Sequence, residues 1–256
     1  MLRCWLALAV LCGGTASGAG PNYSAASIVN ASNYSAGPFA PNSVISIFGS
    51  GLARSTYALA ASDIVAGQMP NELNYVRVYV QDQPVALLFV SERQINFIMS
   101  SVQNPGPVRV RVVTEGVSGP EVVVTLADAA PALFALDSGY AIATSADGKL
   151  LTADSPAHAG DTIVVYATGL GRTSPNPAVY EIPASLAWIV ALPTLKVTLA
   201  GKAVDSGWIK YAGLTPGSAG LYQINLVVPD GAGEDPEIQV SAAGSTPQTG
   251  LKLPVR

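Results

Sequence analysis

Two pairs of sequence marks recur along the chain in the same order. Residues 42–54 read NSVISIFGSGLAR and residues 160–172 read GDTIVVYATGLGR, while residues 92–98 read ERQINFI and residues 221–227 read LYQINLV. Each half therefore runs apolar strand, Gly-Leu turn, variable stretch, then Gln-Ile-Asn inside a second apolar strand. The marks are Gly49, Gly51, Leu52, Gln94, Ile95 and Asn96 in the first half, and Gly169, Leu170, Gln223, Ile224 and Asn225 in the second. The first pair is offset by 118 residues (48 to 166) and the second by 129 (94 to 223). Self-similarity of this kind constrains the architecture before any single residue does. It predicts one module built twice, with a longer variable stretch in the second copy. The 11-residue difference (129 − 118) is expected in the region holding Trp188.

Helical periodicity is almost absent. Short runs rich in Val, Ile, Tyr and Thr alternate with Gly, Pro, Asn and Asp clusters, the pattern of strands and turns. The first half predicts strands over 44–48, 76–81, 85–90, 94–99, 108–114 and 121–126, and the second over 162–167, 195–199, 208–212, 221–228, 237–242 and 250–255. In Val76-Arg77-Val78-Tyr79-Val80 the valines take one face and the polar residues the other. Strands with one dry and one wet face belong to antiparallel sandwiches. Asp82-Gln83 and Gly201-Lys202 are expected to turn corresponding hairpins. Asp128-Ala129-Ala130-Pro131 reads as a short stiff linker. The expected organisation is a signal peptide over 1–19, an immunoglobulin-like sandwich over 20–128 and a second over 129–256, each of a size that fits such a fold.

The signal rests on a basic start (Met1-Leu2-Arg3), the apolar run Cys4 to Cys12 and the small residues Gly13 to Gly20. That run is far shorter than the ~20 residues of a membrane span. Both cysteines lie inside it, so an exported chain would carry no disulfide and no thiolate. The chain is 49% apolar and 12% charged, against roughly 25% charged for an average soluble domain. It has ample material for cores. Its net charge of −4 and scattered basic residues argue against nucleic acid.

With the strands placed, each half resembles an IPT/TIG immunoglobulin-like domain. The matching elements are the strand ending in Gly49-Ser50-Gly51-Leu52, the Val76-x-Val78 strand, the small hairpin at Asp82–Val85, Gln94-Ile95, and the Pro105-to-Val108 approach to the last hairpin. The chain from residue 20 on is also similar to the uncharacterised C-terminal domain of acidobacterial secreted proteins. Val29-Asn30-Ala31-Ser32, Pro41-Asn42-Ser43-Val44, Ala130-Pro131-Ala132-Leu133-Phe134, Tyr166 to Gly171, Tyr211-Ala212-Gly213-Leu214 and Leu221 to Asn225 carry that likeness. It implies an extracellular or cell-surface location and a tandem β-sandwich, and no activity. Leu186-Ala187-Trp188-Ile189-Val190-Ala191-Leu192 departs from the family by being more apolar.

No catalytic, cofactor or metal site is expected. Gly169-Leu170-Gly171-Arg172 lacks the Gly-Lys-Ser/Thr ending and the helix of a phosphate loop. His158 is the only histidine, and no Gly-x-Ser-x-Gly elbow supports a triad around it. Asp147, Asp154 and Asp161 lack calcium-loop spacing. The Gln94/Asn96 and Gln223/Asn225 amides point away from the core and are expected to bond nearby loop backbone, with ligand contact the alternative. Trp208 and Tyr211 are expected on one strand, on opposite faces. The expected contact surface is Leu186, Trp188, Ile189 and Val190, if exposed, since an exposed apolar patch marks an interface; an extra buried strand is the alternative. These readings predict a secreted, non-enzymatic protein that touches an extracellular protein or a glycan, with no membrane span after the signal. Adhesion or scaffolding leads; a carbohydrate-binding module is the alternative.

Overall fold

The computed structural model describes residues 20–256; the expected signal peptide and both cysteines lie outside them. The first half contributes strands β1 (Ile28–Asn30), β2 (Val44–Phe48), β3 (Tyr57–Ala58), β4 (Val76–Val80), β5 (Gln83–Pro84), β6 (Leu87–Val90), β7 (Gln94–Ile98), β8 (Gly106–Thr114), β9 (Val117–Ser118) and β10 (Val122–Leu126). The second contributes β11 (Ala132–Leu133), β12 (Ala143–Ser145), β13 (Thr162–Thr168), β14 (Thr173–Ser174), β15 (Ala187–Ile189), β16 (Lys196–Leu199), β17 (Lys202–Ala203), β18 (Ile209–Leu214), β19 (Tyr222–Val227) and β20 (Ile238–Ser241). The predicted strand at 250–255 is realised only as isolated bridges at Lys252 and Val255.

These strands make a tandem immunoglobulin-like β-sandwich. Sheet β1-β2-β7-β6-β3 faces sheet β10-β8-β4-β5, and sheet β11-β13-β19-β18-β15-β14 faces β17-β16-β20. Alternation makes the layers. In β4 the three valines are buried while Arg77 is exposed, and β13 buries Ile163, Val165 and Ala167. One core runs from Tyr23 to Leu126 and another from Leu133 to Val255.

The repeated marks lie on neighbouring strands in identical register. Ile47 faces Ile95 and Phe48 faces Gln94 across β2–β7; Val165 faces Ile224 and Tyr166 faces Gln223 across β13–β19. Leu52 and Leu170 are both fully buried after a left-handed glycine, Gly51 at φ 64° and Gly169 at φ 77°. The hairpins turn one residue earlier than expected. Val80 pairs Gln83 around Gln81-Asp82, and Leu199 pairs Lys202 around Ala200-Gly201. All four central residues have positive φ, as a two-residue hairpin matching strand twist requires.

Those hairpins also relocate the extra length. Val80 and Leu199 hold equivalent positions, so the offset there is 119 (199 − 80), and it reaches 129 only at Gln-Ile-Asn. Ten of the 11 additional residues therefore lie between the hairpin and β19, beyond the Trp188 segment rather than in it. Three lengthen the connection 204–208, two lengthen β18, and five fall between β18 and Gln223, where Ala219 and Gly220 meet the first module.

That meeting is extensive. Met69, Ala86 and Ile98 form a small buried cluster with Tyr180, Ile182 and Ala219 packed against it. Thr168 bridges the modules, its Oγ1 accepting from Val44 N at 2.9 Å and donating to Gly220 O at 2.8 Å. Arg172 Nη2 donates to Gln103 O at 2.6 Å and Asn104 Oδ1 at 2.9 Å. Tyr180 donates to Pro84 O at 2.6 Å, and Met69 N to Tyr180 O at 2.8 Å. Buried Tyr222 donates its hydroxyl to Gly171 O, and burial raises its pKa far above the ordinary tyrosine value.

Candidate functional site

The segment after this docking arm turns outward. In β15 and its flanks Leu186 (54% exposed), Trp188 (38%), Val190 (63%) and Leu192 (37%) face solvent, while Ala187 and Ile189 (3%) enter the second core. The expected contact set is thereby corrected at Ile189, because a strand sends alternate residues to opposite faces. Leu192, at the end of the apolar segment 186–192, joins the outer strip. The segment is thus a strand, the counterpart of β3, with one face buried and the other carrying an apolar strip.

Pairing fixes Trp188. Ser174 of β14 lies opposite it on one side and Gly213 of β18 on the other. Its ring meets Tyr211 edge-on, centroids 4.9 Å apart at 75°, a favourable arrangement for two quadrupoles. Gly213 makes this possible: a Cβ there would overlap the Tyr211 ring and the Ala187 carbonyl. The Tyr211 hydroxyl accepts from Ala187 N at 3.0 Å and donates to Leu214 O at 2.7 Å, so the aromatic pair is anchored to two strands. Burial raises the Tyr211 pKa. Trp208, expected to begin the strand over 208–212, lies instead just before β18, in the one-turn 3₁₀ segment Ser206–Trp208, half-buried against the core.

The repeated amides continue the same face. Gln223 Nε2 donates to Asn225 Oδ1 at 2.9 Å, and Gln94 Nε2 to Asn96 Oδ1 at 2.9 Å. Ser46 Oγ adds a 2.9 Å bond to Asn96 Oδ1. The expected bonds to loop backbone are not what holds them: residues two apart on a strand share a face, and each pair closes on itself. Sequence reasoning missed their neighbours Phe48 and Tyr166, although both stand 118 residues apart at matching places in the repeat.

With the register and strip in place, comparison with known proteins finds a match in the first half. Residues 27–125 match the IPT/TIG domain. The match begins just before β1 and ends in β10, and the second sandwich repeats that domain's β2–β7 register in β13–β19. No curated protein matches the chain. Similar solved structures include SGBP-B of the Bacteroides ovatus mixed-linkage glucan utilization locus, at 10% identity over 84% of this chain and 44% of that one, TM-score 0.33. The surface glycan-binding protein PbSGBP-B from Prevotella bryantii is 11% identical over 91% and 41%, TM-score 0.27. Domains 5–6 of the S-layer protein SbsC are 10% identical over 92% and 98%, TM-score 0.27. The chain spans less than half the length of the first two. At such identities and TM-scores these likenesses carry no argument about what this chain binds.

In the first sandwich a Cβ on Gly49 would overlap the Asn22 carbonyl; in the second, one on Gly169 would overlap Ala130 O, and one on Gly171 Asp128 O. The Gly-Leu turns thus let an incoming chain segment pass close. His158 sits exposed in a loop, its Nδ1 3.7 Å from Asp161 Oδ2. Asp147 accepts from Ser145, which lowers its pKa. Among the described residues no three His, Asp or Glu side chains gather as metal ligands, and no helix is long and apolar enough to cross a membrane.

Proposed function

We propose that this chain is an exported, non-enzymatic contact protein that offers the outer strip of its second module to an extracellular or cell-surface protein in adhesion or scaffolding. The carrying observation is the alternation at β15, which holds Leu186, Trp188, Val190 and Leu192 in solvent on a strand anchored by Ile189 and Ala187. Large apolar side chains gathered in one short segment are what a contact surface uses. Export is supported by the signal-like residues 1–19, by a chain free of cysteine beyond them, and by the resemblance to acidobacterial secreted proteins. The working units are 20–128 and 129–256, joined firmly enough to act as one body. A carbohydrate ligand is the second reading, favoured by Trp188 standing beside the polar Gln223/Asn225 pair.

The test compares the wild type with a Leu186→Ser, Val190→Ser variant in capture from the native cell envelope, with thermal melting alongside. The expected result is loss of wild-type partners at an unchanged melting temperature. Equal capture by both overturns the strip as the contact surface. Hydrolysis of a polymer by the purified protein, abolished by one polar substitution, overturns the non-enzymatic reading.

A further inference from the structure

The Gln-Ile-Asn mark carries more than scaffold. In each module the amide pair is flanked across the strands by aromatics at equivalent positions. Gln94 faces Phe48 and Asn96 faces Phe89; Gln223 faces Tyr166 and Asn225 faces Tyr211. The internal amide bond consumes Gln Nε2 and Asn Oδ1 in both copies. Asn Nδ2 and Gln Oε1 have no protein partner among the described residues. They are also absent from the buried unpaired atoms, so they reach solvent. Each module thus presents one donor and one acceptor side by side next to half-buried aromatic rings, Phe48 and Phe89 in the first and Tyr166 in the second, where Tyr211 is 3% exposed, packed against Trp188, and braces the site without offering a free face.

We propose that these two aromatic–amide quartets are binding sites for a neutral oligosaccharide, the stronger on the second module. Adjacent sugar hydroxyls take one hydrogen bond and give one, which is what the outward Asn Nδ2 and Gln Oε1 supply. The apolar faces of a sugar ring pack on aromatic rings. No quartet residue is charged, so nothing there favours a polyanion. The second module adds Trp188, opposite Gly213, which itself lies opposite Gln223. From Trp188 to Tyr166 the row crosses three strand spacings, roughly 14 Å, long enough for several sugar units. The proposal rests on the reading of this outer face as a contact face and shares Trp188 with it, but otherwise uses different atoms from the aliphatic side chains Leu186, Val190 and Leu192.

The experiment is affinity electrophoresis of the full chain through gels containing a β-glucan, a xylan or a mannan, with polygalacturonate as the polyanion. The expected result is retardation in at least one neutral gel and none in polygalacturonate. Asn225→Asp keeps the acceptor that holds Gln223 while replacing the outward donor, and is expected to weaken binding roughly tenfold. Asn96→Asp, at the site without a tryptophan, is expected to weaken it less. Trp188→Ala, which alters an exposed ring, is expected to cost roughly tenfold as well. Leu186→Ser with Val190→Ser is expected to leave retardation unchanged, which separates this proposal from the protein-contact reading. Migration of the wild type unaltered in every neutral gel, retardation by polygalacturonate alone, or variants bound as tightly as the wild type overturns it.

Discussion

Arg54 and Arg172 stand at the same position of the repeat, two residues after the buried leucine, and their surroundings are opposite. Arg54 reaches into solvent to an ion pair with Glu115 at 2.5 Å. Arg172 lays its guanidinium on carbonyl oxygens of the other module. The strands beside them differ likewise: β3 is a two-residue edge with both residues exposed, whereas β15 is a three-residue strand paired on both sides. The lesson is that duplication preserved register and core while the connections diverged. The second copy uses 172–183 and 215–220 to grip the first, while Leu186, Trp188, Val190 and Leu192 face outward.

The sharpest way to break that contrast is at the core-facing side of β15. Ile189→Ser is expected to destabilise by about 3 kcal/mol, since it removes a buried side chain and inserts a hydroxyl. Tyr57→Ser on β3 is expected to change little. Urea denaturation measures both, and equal effects would mean that β15 is as loosely held as β3. Next comes Gly220, at φ 73° with Ile98 Cδ1 and Val44 Cγ2 where a Cβ would go. Gly220→Val is expected to cost about 2–3 kcal/mol and to split the thermal transition in two, as each module then melts by itself. Gly217→Ala, with open space around it at φ 80°, is expected to cost only about 1 kcal/mol. A single unsplit transition in Gly220→Val would show that the contact does not couple the modules.

The arginines give a smaller effect. Arg172→Met is expected to cost about 2 kcal/mol for charge-assisted bonds to carbonyls, reduced by partial exposure, while Arg54→Met is expected to leave the urea midpoint in place because exposed ion pairs contribute little. Last is a slope with pH. Burial raises the hydroxyl pKa values of Tyr222, Tyr23 and Tyr211, so each ionises first in the unfolded chain. Stability from this source is complete below about pH 10 and is lost as pH rises beyond it. Urea midpoints from pH 8 to 11 check this, and Tyr222→Phe is expected to flatten the alkaline fall.

Much of the scaffold was legible from sequence. The strand over 44–48 was read to the residue, and 76–81, 94–99 and 162–167 to within one, because alternation is a local property of the chain. The hairpins shifted by one residue because Asp82 and Gly201 are the second, not the first, of their turn residues. The face of β15 could not be read. Leu-Ala-Trp-Ile-Val-Ala-Leu is apolar throughout, so it has no period to say which side is dry. At the amides, composition announced polar groups off the core but not what they bond.

The sequence by itself determined the tandem sandwich and most of its repeated strands, since periodicity and repetition act through neighbours along the chain. Only the tertiary structure decided that Ile189 turns inward beside an exposed Trp188, that the extra loop residues Ala219 and Gly220 meet the first module, and that Phe48, Phe89, Tyr166 and Tyr211 stand beside the amide pairs. Those outcomes depend on partners far apart in sequence, and no local pattern names them.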